Sequence, residues 1–464
     1  MGSGKRIVVV GGGSQFALGL SESLVDYAQD VLAGATVVLL DIHAAHLDIV
    51  HGYASRLASM ARADVTFEKT TDRRRAFEGA DFILTTFRPG SHEQQLQDEE
   101  VPPRYGLQGN ETVGIGGIFM ACRVAPVLRA ICADAAALCP NAWIVNYTNP
   151  TQYVADIVRR ISQLHIICLC DGYIGMADYV ARLLGCDPAD VAIYPGGTNH
   201  GMWIMRMTVK GEDGYPLLRE RLNRSSWDEI EALFAPPDEM EFNHVQVRRD
   251  QIYQQFIRGY GFPFHLRLFQ LYGLLPAPRY YWRYHLDQDA IIAEQRSGHY
   301  VSMAGFYMQH AVPRGFQDLE QRLEQAIGHQ RSARRKGGGG HGDLAVRVIS
   351  AIATGSGETF VVNVPNRGAI ANLPDGAIVE VAAVVDHEGA HPFAMGPLPK
   401  ELVGYQHALI LSQELAVDAA LSGSRDDLLR AILAHPLIHS ATAAEQAMDE
   451  LLALQAQWLP QFQT

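Results

Sequence analysis

The stretch Ile7-Val8-Val9-Val10-Gly11-Gly12-Gly13-Ser14 decides the fold. Four consecutive β-branched residues predict a strand buried on both faces. Three glycines follow at once, and a helical pattern then runs to Tyr27. Strand, glycine turn, helix is the order a dinucleotide requires. Gly11 permits the tight turn and Gly13 lets the backbone approach a pyrophosphate. The start of the helix, through Ser14, Gln15 and Phe16, offers N–H groups to the anion. A second strand, over residues 36–40, ends on Asp41. Its carboxylate suits the ribose hydroxyls of NAD and repels the 2′-phosphate of NADP. The interval from Gly11 to Asp41 is longer than usual for this fingerprint, which predicts a first helix extended by a turn or two.

Working outward, strands are expected over 82–86 and 143–147 and again from His165, alternating with helical stretches. The fold class is therefore α/β: a Rossmann-type dinucleotide-binding domain over 1–195, followed by an α+β substrate and oligomerisation domain over 196–464. Residues 225–240 are polar and acidic and read as a surface excursion. Helical patterns return over 400–421, 426–434 and 442–459, with Pro436 and Pro460 as stops for the last two.

Composition bounds the function. The 464 residues are 48% hydrophobic and 19% charged, an ordinary globular profile. A net charge of −13 excludes a nucleic-acid partner, which needs a concentrated basic surface. The one basic cluster, 331–336, runs into four glycines and reads as a solvated loop. Six cysteines without framework spacing point to a reducing compartment. No signal peptide and no apolar run of membrane-spanning length are read, so no membrane partner is expected and the cytoplasm is the expected location.

The centre of the chain carries the remaining polar signals. Gly109-Asn110-Glu111-Thr112 and Gly114-Ile115-Gly116-Gly117 read as a glycine-rich loop before a helix over 119–128. Asn146-Tyr147-Thr148-Asn149-Pro150 closes the strand from Trp143. Polar residues at the carboxyl end of a parallel strand lie where open α/β sheets bind ligands, although Asn and Pro also build turns. Cys170-Asp171-Gly172 ends the next strand, and Gly196-Gly197-Thr198-Asn199-His200-Gly201 follows. One Cys and one His so far apart serve packing as readily as metal binding. Read from residues alone, the chain is an NAD enzyme of unspecified substrate.

Taken together and in order, these segments resemble glycoside hydrolase family 4. The agreement adds Asp98-Glu99-Glu100-Val101-Pro102, Gly116-Gly117-Ile118-Phe119, Asn363-Val364-Pro365-Asn366-Arg367-Gly368, Asn372-Leu373-Pro374 and Gly396-Pro397-Leu398-Pro399. It spans nearly the whole chain. The resemblance implies NAD, a divalent metal, usually manganese, and a glycoside substrate. It implies Cys170 and His200 as the metal ligands and Asp171 beside the leaving group. A Pro-x-x-Tyr segment, here Pro278-Arg279-Tyr280-Tyr281, implies Tyr281 as the catalytic base, with Tyr284 second and Tyr280 also within the cluster. Asn149, Asn199, Arg88, Glu111 and Arg296 match positions that face substrate, though either arginine could equally form a surface ion pair. A homodimer or homotetramer is implied as well.

This family stands outside the two-carboxylate scheme of glycoside hydrolysis. The resemblance implies oxidation of the sugar at C3, loss of the C2 proton to Tyr281 with help from the metal or a nearby cation such as Arg283, elimination at C1 with Asp171 as proton donor, and addition of water. Asp171 resembles the residue of members acting on α-linked 6-phosphoglucosides. Gly172 and Tyr173-Ile174-Gly175 resemble members acting on unphosphorylated α-glucosides or α-uronides. An α-glycoside is expected, with phosphate or carboxylate left open. The alternative is an NAD-dependent hydroxy-acid or sugar dehydrogenase of the same fold; a non-catalytic sensor is a third reading, opposed by the intact Cys170, Asp171 and His200.

Overall fold

The computed structural model describes residues 4–234, 239–242, 245–248, 263–278, 281–297, 308, 316–330 and 341–463. The expected loop at 331–336 with its glycines, part of the 225–240 excursion and Tyr280 lie outside them.

Fifteen strands are present among the described residues: β1 Arg6–Val10, β2 Ala35–Leu40, β3 Val65–Thr70, β4 Phe82–Thr85, β5 Trp143–Asn146, β6 His165–Cys168, β7 Val191–Gly197, β8 Met202–Val209, β9 Glu212–Asp213, β10 Glu239–Phe242, β11 Val245–Arg248, β12 Leu275–Ala277, β13 Glu358–Pro365, β14 Ile378–Asp386 and β15 Gly389–Pro392. Strands β3, β2, β1, β4, β5 and β6 lie side by side in that order and pair in parallel, the doubly wound arrangement expected from the opening residues. Ile7, Val8 and Val9 are fully buried, as a central strand covered on both faces must be.

The sheet does not stop at β6. It continues antiparallel through β13, β14, β7, β8 and β12, with β15 on β14 and β9 on β8, so thirteen strands form one sheet. The β6–β13 junction is a single register pair, Cys168 with Asn363. The expected domain boundary after residue 195 falls inside β7.

Two large hydrophobic layers cover the sheet, and a third cluster packs the helices Met176–Leu184, Tyr215–Arg224 and Phe264–Tyr272 on β7, β8 and β12. One is built on the helices Phe16–Tyr27, Ala44–Ala61 and His341–Thr354. The other is built on Gly114–Leu138, Thr151–Ile161, Lys400–Ser422, Arg425–Ala434 and Ala441–Leu454. The C-terminal helices thus pack as core, and the last of them stops at Leu454, short of the expected 459.

Four local readings need correction. The extra length before Asp41 is not in the first helix, which ends at Tyr27; residues 28–34 take it up as turns. Strand β3 went unread because only Phe67 within it is buried, as befits an edge strand. Residues 114–117 do not form a loop but open the helix Gly114–Leu138. Cβ atoms at Gly116 and Gly117 would sit 2.1 Å from the Asn110 carbonyl oxygen and 2.4 Å from that of Thr112. The glycines let the 109–112 segment lie directly on the helix. That helix is also long and apolar enough to cross a membrane, against the expectation that no run was, but 78% of its apolar window is buried in the second layer.

Candidate active site

The glycine turn forms as its sequence requires. Gly11 and Gly12 both donate to the Leu40 carbonyl at 2.9 Å, tying the turn to the end of β2. Gly11 has φ +92°, and a Cβ there would come 2.3 Å from the Thr86 carbonyl oxygen. Asp41 accepts from the Gly13 N–H at 2.9 Å and from the His43 N–H at 3.1 Å. It therefore shapes the turn as well as presenting a carboxylate beside it. Ser14 and Phe16 are half-buried and Gln15 is exposed. The Phe16 ring packs against Tyr147, 5.3 Å between centroids, linking the turn to the end of β5.

At the carboxyl end of β6, the chain places Cys170 in a buried position. Gly172 is small enough for Pro278 to close over it: a Cβ would meet Pro278 Cγ at 2.8 Å. The turn after β7 brings His200 to the same place. Its Nε2 lies 3.3 Å from Cys170 Sγ. His200 is held at φ +60°, a left-handed conformation costly for a side chain. The neighbourhood fixes it there. His285 bonds the His200 carbonyl at 3.0 Å, and Gln406 clamps the turn by donating to the Gly201 carbonyl at 2.6 Å and accepting from the Thr198 N–H at 2.8 Å.

Tyr281 opens the helix Tyr281–Leu286 and stacks on the His200 ring, with centroids 3.8 Å apart and planes inclined 15°. Thr112 joins the two: its Oγ1 lies 2.9 Å from His200 Nδ1 and donates to the Tyr281 hydroxyl at 3.1 Å. Engaging Nδ1 leaves Nε2 for the Cys170 side. Tyr284 lies farther off, 6.2 Å from Tyr281 between ring centroids.

Electrostatics follow burial. Burial, with help from His285, pulls the His200 imidazole down to about 3, so it is neutral and fit to be a ligand. Burial, then the Glu380 carboxylate, pushes the Cys170 thiol up to about 12, while the Gly172 N–H and the Asn199 side chain oppose the rise. The Tyr281 phenol is driven well above its usual value by burial and then by Glu111, against the Thr112 hydrogen bond.

Arg88 and Glu111 form a half-buried ion pair at 2.8 Å, so the partner of Arg88 is another of the candidate residues. Asn199 is buried and donates to Glu380 at 2.7 Å. Asn149 and Asp171 are half-buried on the loops after β5 and β6. Two candidates are engaged elsewhere. Arg296 is exposed and donates to the Pro103 and Arg104 carbonyls, at 2.6 and 3.4 Å, where it closes the helix Ser91–Arg104. Arg283, named with the metal as a possible help to Tyr281, pairs with Glu294 at 2.7 Å and Asp287 at 3.5 Å.

Sequence reading did not assign roles to Thr112, His285 or Glu380. Thr112 stood inside a quoted motif. Glu380 had a usable signal, a lone carboxylate in the apolar run Ile378–Val385.

The cluster fits a divalent cation. Metal–sulfur and metal–nitrogen bonds of about 2.3 and 2.1 Å together exceed the 3.3 Å gap, so one ion reaches both atoms. Among the described residues no group of three His, Cys, Asp or Glu side chains forms, which leaves the remaining positions to substrate or water. The glycine turn likewise fits a dinucleotide: it leads from β1 into the helix Phe16–Tyr27, and the Asp41 carboxylate at the end of β2 lies against it.

The family 4 glycosyl hydrolase model matches residues 6–186, and its C-terminal domain model matches 196–438. The chain belongs to glycosyl hydrolase family 4. Among the relatives, a probable 6-phospho-β-glucosidase of Bacillus subtilis (strain 168) is 30% identical, over 100% of this chain and 99% of the relative. An α-glucosidase of Erwinia rhapontici is 28% identical, over 98% of each. The crystal structure of a 6-phospho-α-glucosidase from gut microorganisms, in complex with NAD and Mn2+, superposes with a TM-score of 0.78 at 26% identity, covering 98% of this chain and 99% of that one. Family 4 membership makes this chain a glycosidase on an α/β, Rossmann-type fold.

Proposed function

We propose that the chain is an NAD- and manganese-dependent glycosidase that cleaves α-linked glucosides carrying a 6-phosphate. The observation that carries the reading is the meeting of Cys170 Sγ and His200 Nε2 at 3.3 Å under the stacked Tyr281 ring. The α linkage rests on Asp171 directly after the metal-ligating cysteine. The phosphate is supported by the relatives named as acting on 6-phospho-glucosides. When bound, NAD supplies a reversible hydride acceptor for the sugar C3, and the cation supplies Lewis acidity at the C2 and C3 oxygens.

The chain's own residues do the rest. Gly11, Gly13, Ser14, Gln15 and Phe16 hold the dinucleotide, and Asp41 selects an unphosphorylated ribose. Cys170 and His200 hold the cation, with Thr112 fixing the imidazole tautomer. Tyr281 takes the proton from C2; its buried phenol needs the adjacent positive charge to do so near neutral pH. Asp171 gives a proton to the departing oxygen at C1. Arg88 with Glu111, Asn149 and Asn199 orient sugar hydroxyls. All six cysteines are free, which supports a reducing, cytoplasmic setting.

The test is turnover of aryl α- and β-glucosides, with and without 6-phosphate, in the presence of NAD and Mn2+. Hydrolysis of the α-linked 6-phosphate without accumulation of NADH is expected. NADH released one-for-one with substrate would make the chain a dehydrogenase, and a preference for the β substrate would overturn the α assignment.

A further inference from the structure

The helix Tyr281–Leu286 is six residues long, yet it holds the turn after β7 at three points. Tyr281 stacks on the His200 ring, Trp282 Nε1 donates to the Met202 carbonyl at 3.1 Å, and His285 Nε2 lies 3.0 Å from the His200 carbonyl oxygen. Tyr281 and His285 stand four positions apart, on one face of the helix. The first meets the side chain of His200 and the second its backbone. All three side chains are buried, and His285 is 1% exposed.

The proton on His285 can be placed from its partners. A carbonyl oxygen only accepts, so Nε2 carries hydrogen. Among the described residues no carboxylate bonds this ring, and a buried imidazole without one is neutral. Nδ1 therefore presents a lone pair. The Tyr405 hydroxyl, 3.1 Å away, donates to it, and also lies 3.2 Å from the His285 carbonyl oxygen. Donation thus runs from Tyr405, on the helix Lys400–Ser422, through His285 to the His200 carbonyl. The next residue of that helix, Gln406, bonds the same turn on either side, at Thr198 and Gly201. Without the hydroxyl the other tautomer is free to form, which sets a lone pair at Nε2 against the carbonyl oxygen.

His200 needs such a hold. At φ +60° its backbone is where a side chain is costly, and glycine, the usual answer, has no side chain to offer a metal. Its Nε2 must nevertheless stand 3.3 Å from Cys170 Sγ. The Thr112 contact acts on the ring; the His285 contact acts on the backbone that carries it.

We infer that His285 is a positioning residue for the metal ligand: kept as the Nε2–H tautomer by Tyr405, it pins the His200 backbone so that the imidazole meets Cys170 and Tyr281 in one geometry. The inference rests on Cys170 and His200 holding a divalent cation. Loss of a partner outside the ligand set costs about 10–100-fold in metal affinity.

The experiment uses the full-length protein, stripped of metal by chelation. Mn2+ affinity is measured by electron paramagnetic resonance of the free ion. The sulfur-to-metal charge-transfer absorption is recorded with Co2+, and NAD affinity is measured by calorimetry. H285F keeps a ring and loses both nitrogens; it should bind Mn2+ about 10–100-fold more weakly and shift the cobalt band, with NAD affinity unchanged. H285Q, whose amide N–H reaches as far as Nε2, should recover most of the affinity. Y405F should lose affinity in the same direction but by less, and the double variant H285F/Y405F should bind no more weakly than H285F. Imidazole 15N spectra of the metal-free wild type, with His285 assigned by its loss in H285Q, should show the Nε2–H tautomer. Folded H285F with wild-type Mn2+ affinity and cobalt spectrum would overturn the inference, as would an Nδ1–H tautomer or additive losses in the double variant. If H285F does not fold, Y405F decides, and wild-type values of the same two readouts there would overturn it. Wild-type protein that binds neither ion would instead sink the metal reading itself, and this inference with it.

Discussion

The glycine turn and the Cys170–His200 cluster are built in opposite ways. The turn is made of backbone from one short segment, and what matters there is the absence of Cβ atoms. The cluster is made of side chains from segments around 112, 170, 200 and 281, and what matters is which atoms they carry. The first is tolerant of chemistry and intolerant of volume, the second the reverse. Substitutions can therefore separate cofactor binding from metal binding.

The largest separation should come from Cys170→Ser. Losing the thiolate ligand should lower kcat by about 10³-fold or more, since Lewis-acid stabilisation is worth several kcal/mol and each 1.36 kcal/mol is tenfold. NAD affinity, measured by fluorescence titration, should stay at the wild-type value; a parallel loss would mean that the two regions are one. Gly11→Ala makes the converse cut. A Cβ 2.3 Å from the Thr86 carbonyl at φ +92° should destabilise the fold by about 2–4 kcal/mol in urea melts and abolish NAD binding. Retained NAD affinity would show that the turn does not hold the dinucleotide.

Thr112→Val should cost about 10–100-fold in Mn2+ affinity or kcat with the volume kept, because only the oxygen joining His200 to Tyr281 is lost. Wild-type activity would show that stacking alone holds the pair.

The two regions should also differ in pH response. Burial holds His200 and His435 at about 3 and His285 at about 4, below the unfolded value near 6.5. These groups leave stability untouched above about pH 6.5 and remove it as pH falls towards 3 to 4, by up to about 1.4 kcal/mol per pH unit for each proton. Burial raises Glu380 to about 8, which has the opposite sign. Its contribution is complete below the unfolded carboxylate value of about 4.5 and is lost as pH rises through 8. Melts of the metal-free protein should show falling stability below about pH 6.5, and Glu380→Gln should flatten the slope between about 6.5 and 8. A slope unchanged by that substitution would contradict the buried carboxyl's titration.

The smallest effect is expected from Arg296→Ala: about 1 kcal/mol or less of stability, from an exposed cation closing a helix end, and no change in KM. A raised KM would bring Arg296 into the substrate site.

The same contrast explains what could be read in advance. The turn, the first strands and Asp41 were legible because each is written in consecutive residues. Cys170 and His200 carried no local signal, and only the order of many motifs pointed to them. Several of those motifs serve the fold rather than the chemistry. Asp98 forms a fully buried pair with Arg123 at 2.5 Å. Asn366 closes its turn by accepting from the Ile370 N–H and donating to the Ile370 and Leu373 carbonyls. The partners of Arg296 and Arg283 were not legible because an arginine's reach hides them: one bonds helix-end carbonyls, the other two carboxylates. Edge strand β3 and the antiparallel continuation of the sheet escaped because pairing is a long-range property.

That continuation has a mechanical consequence. Hydrogen-bonded strands run without a break from the nucleotide end at β3 to β12, next to Pro278 and the Tyr281 helix. A hinge between the two halves would have to tear this ribbon across its middle, at Cys168 and Asn363. The distance between the dinucleotide turn and the thiol–imidazole pair is therefore set by the pairing of the strands that carry them.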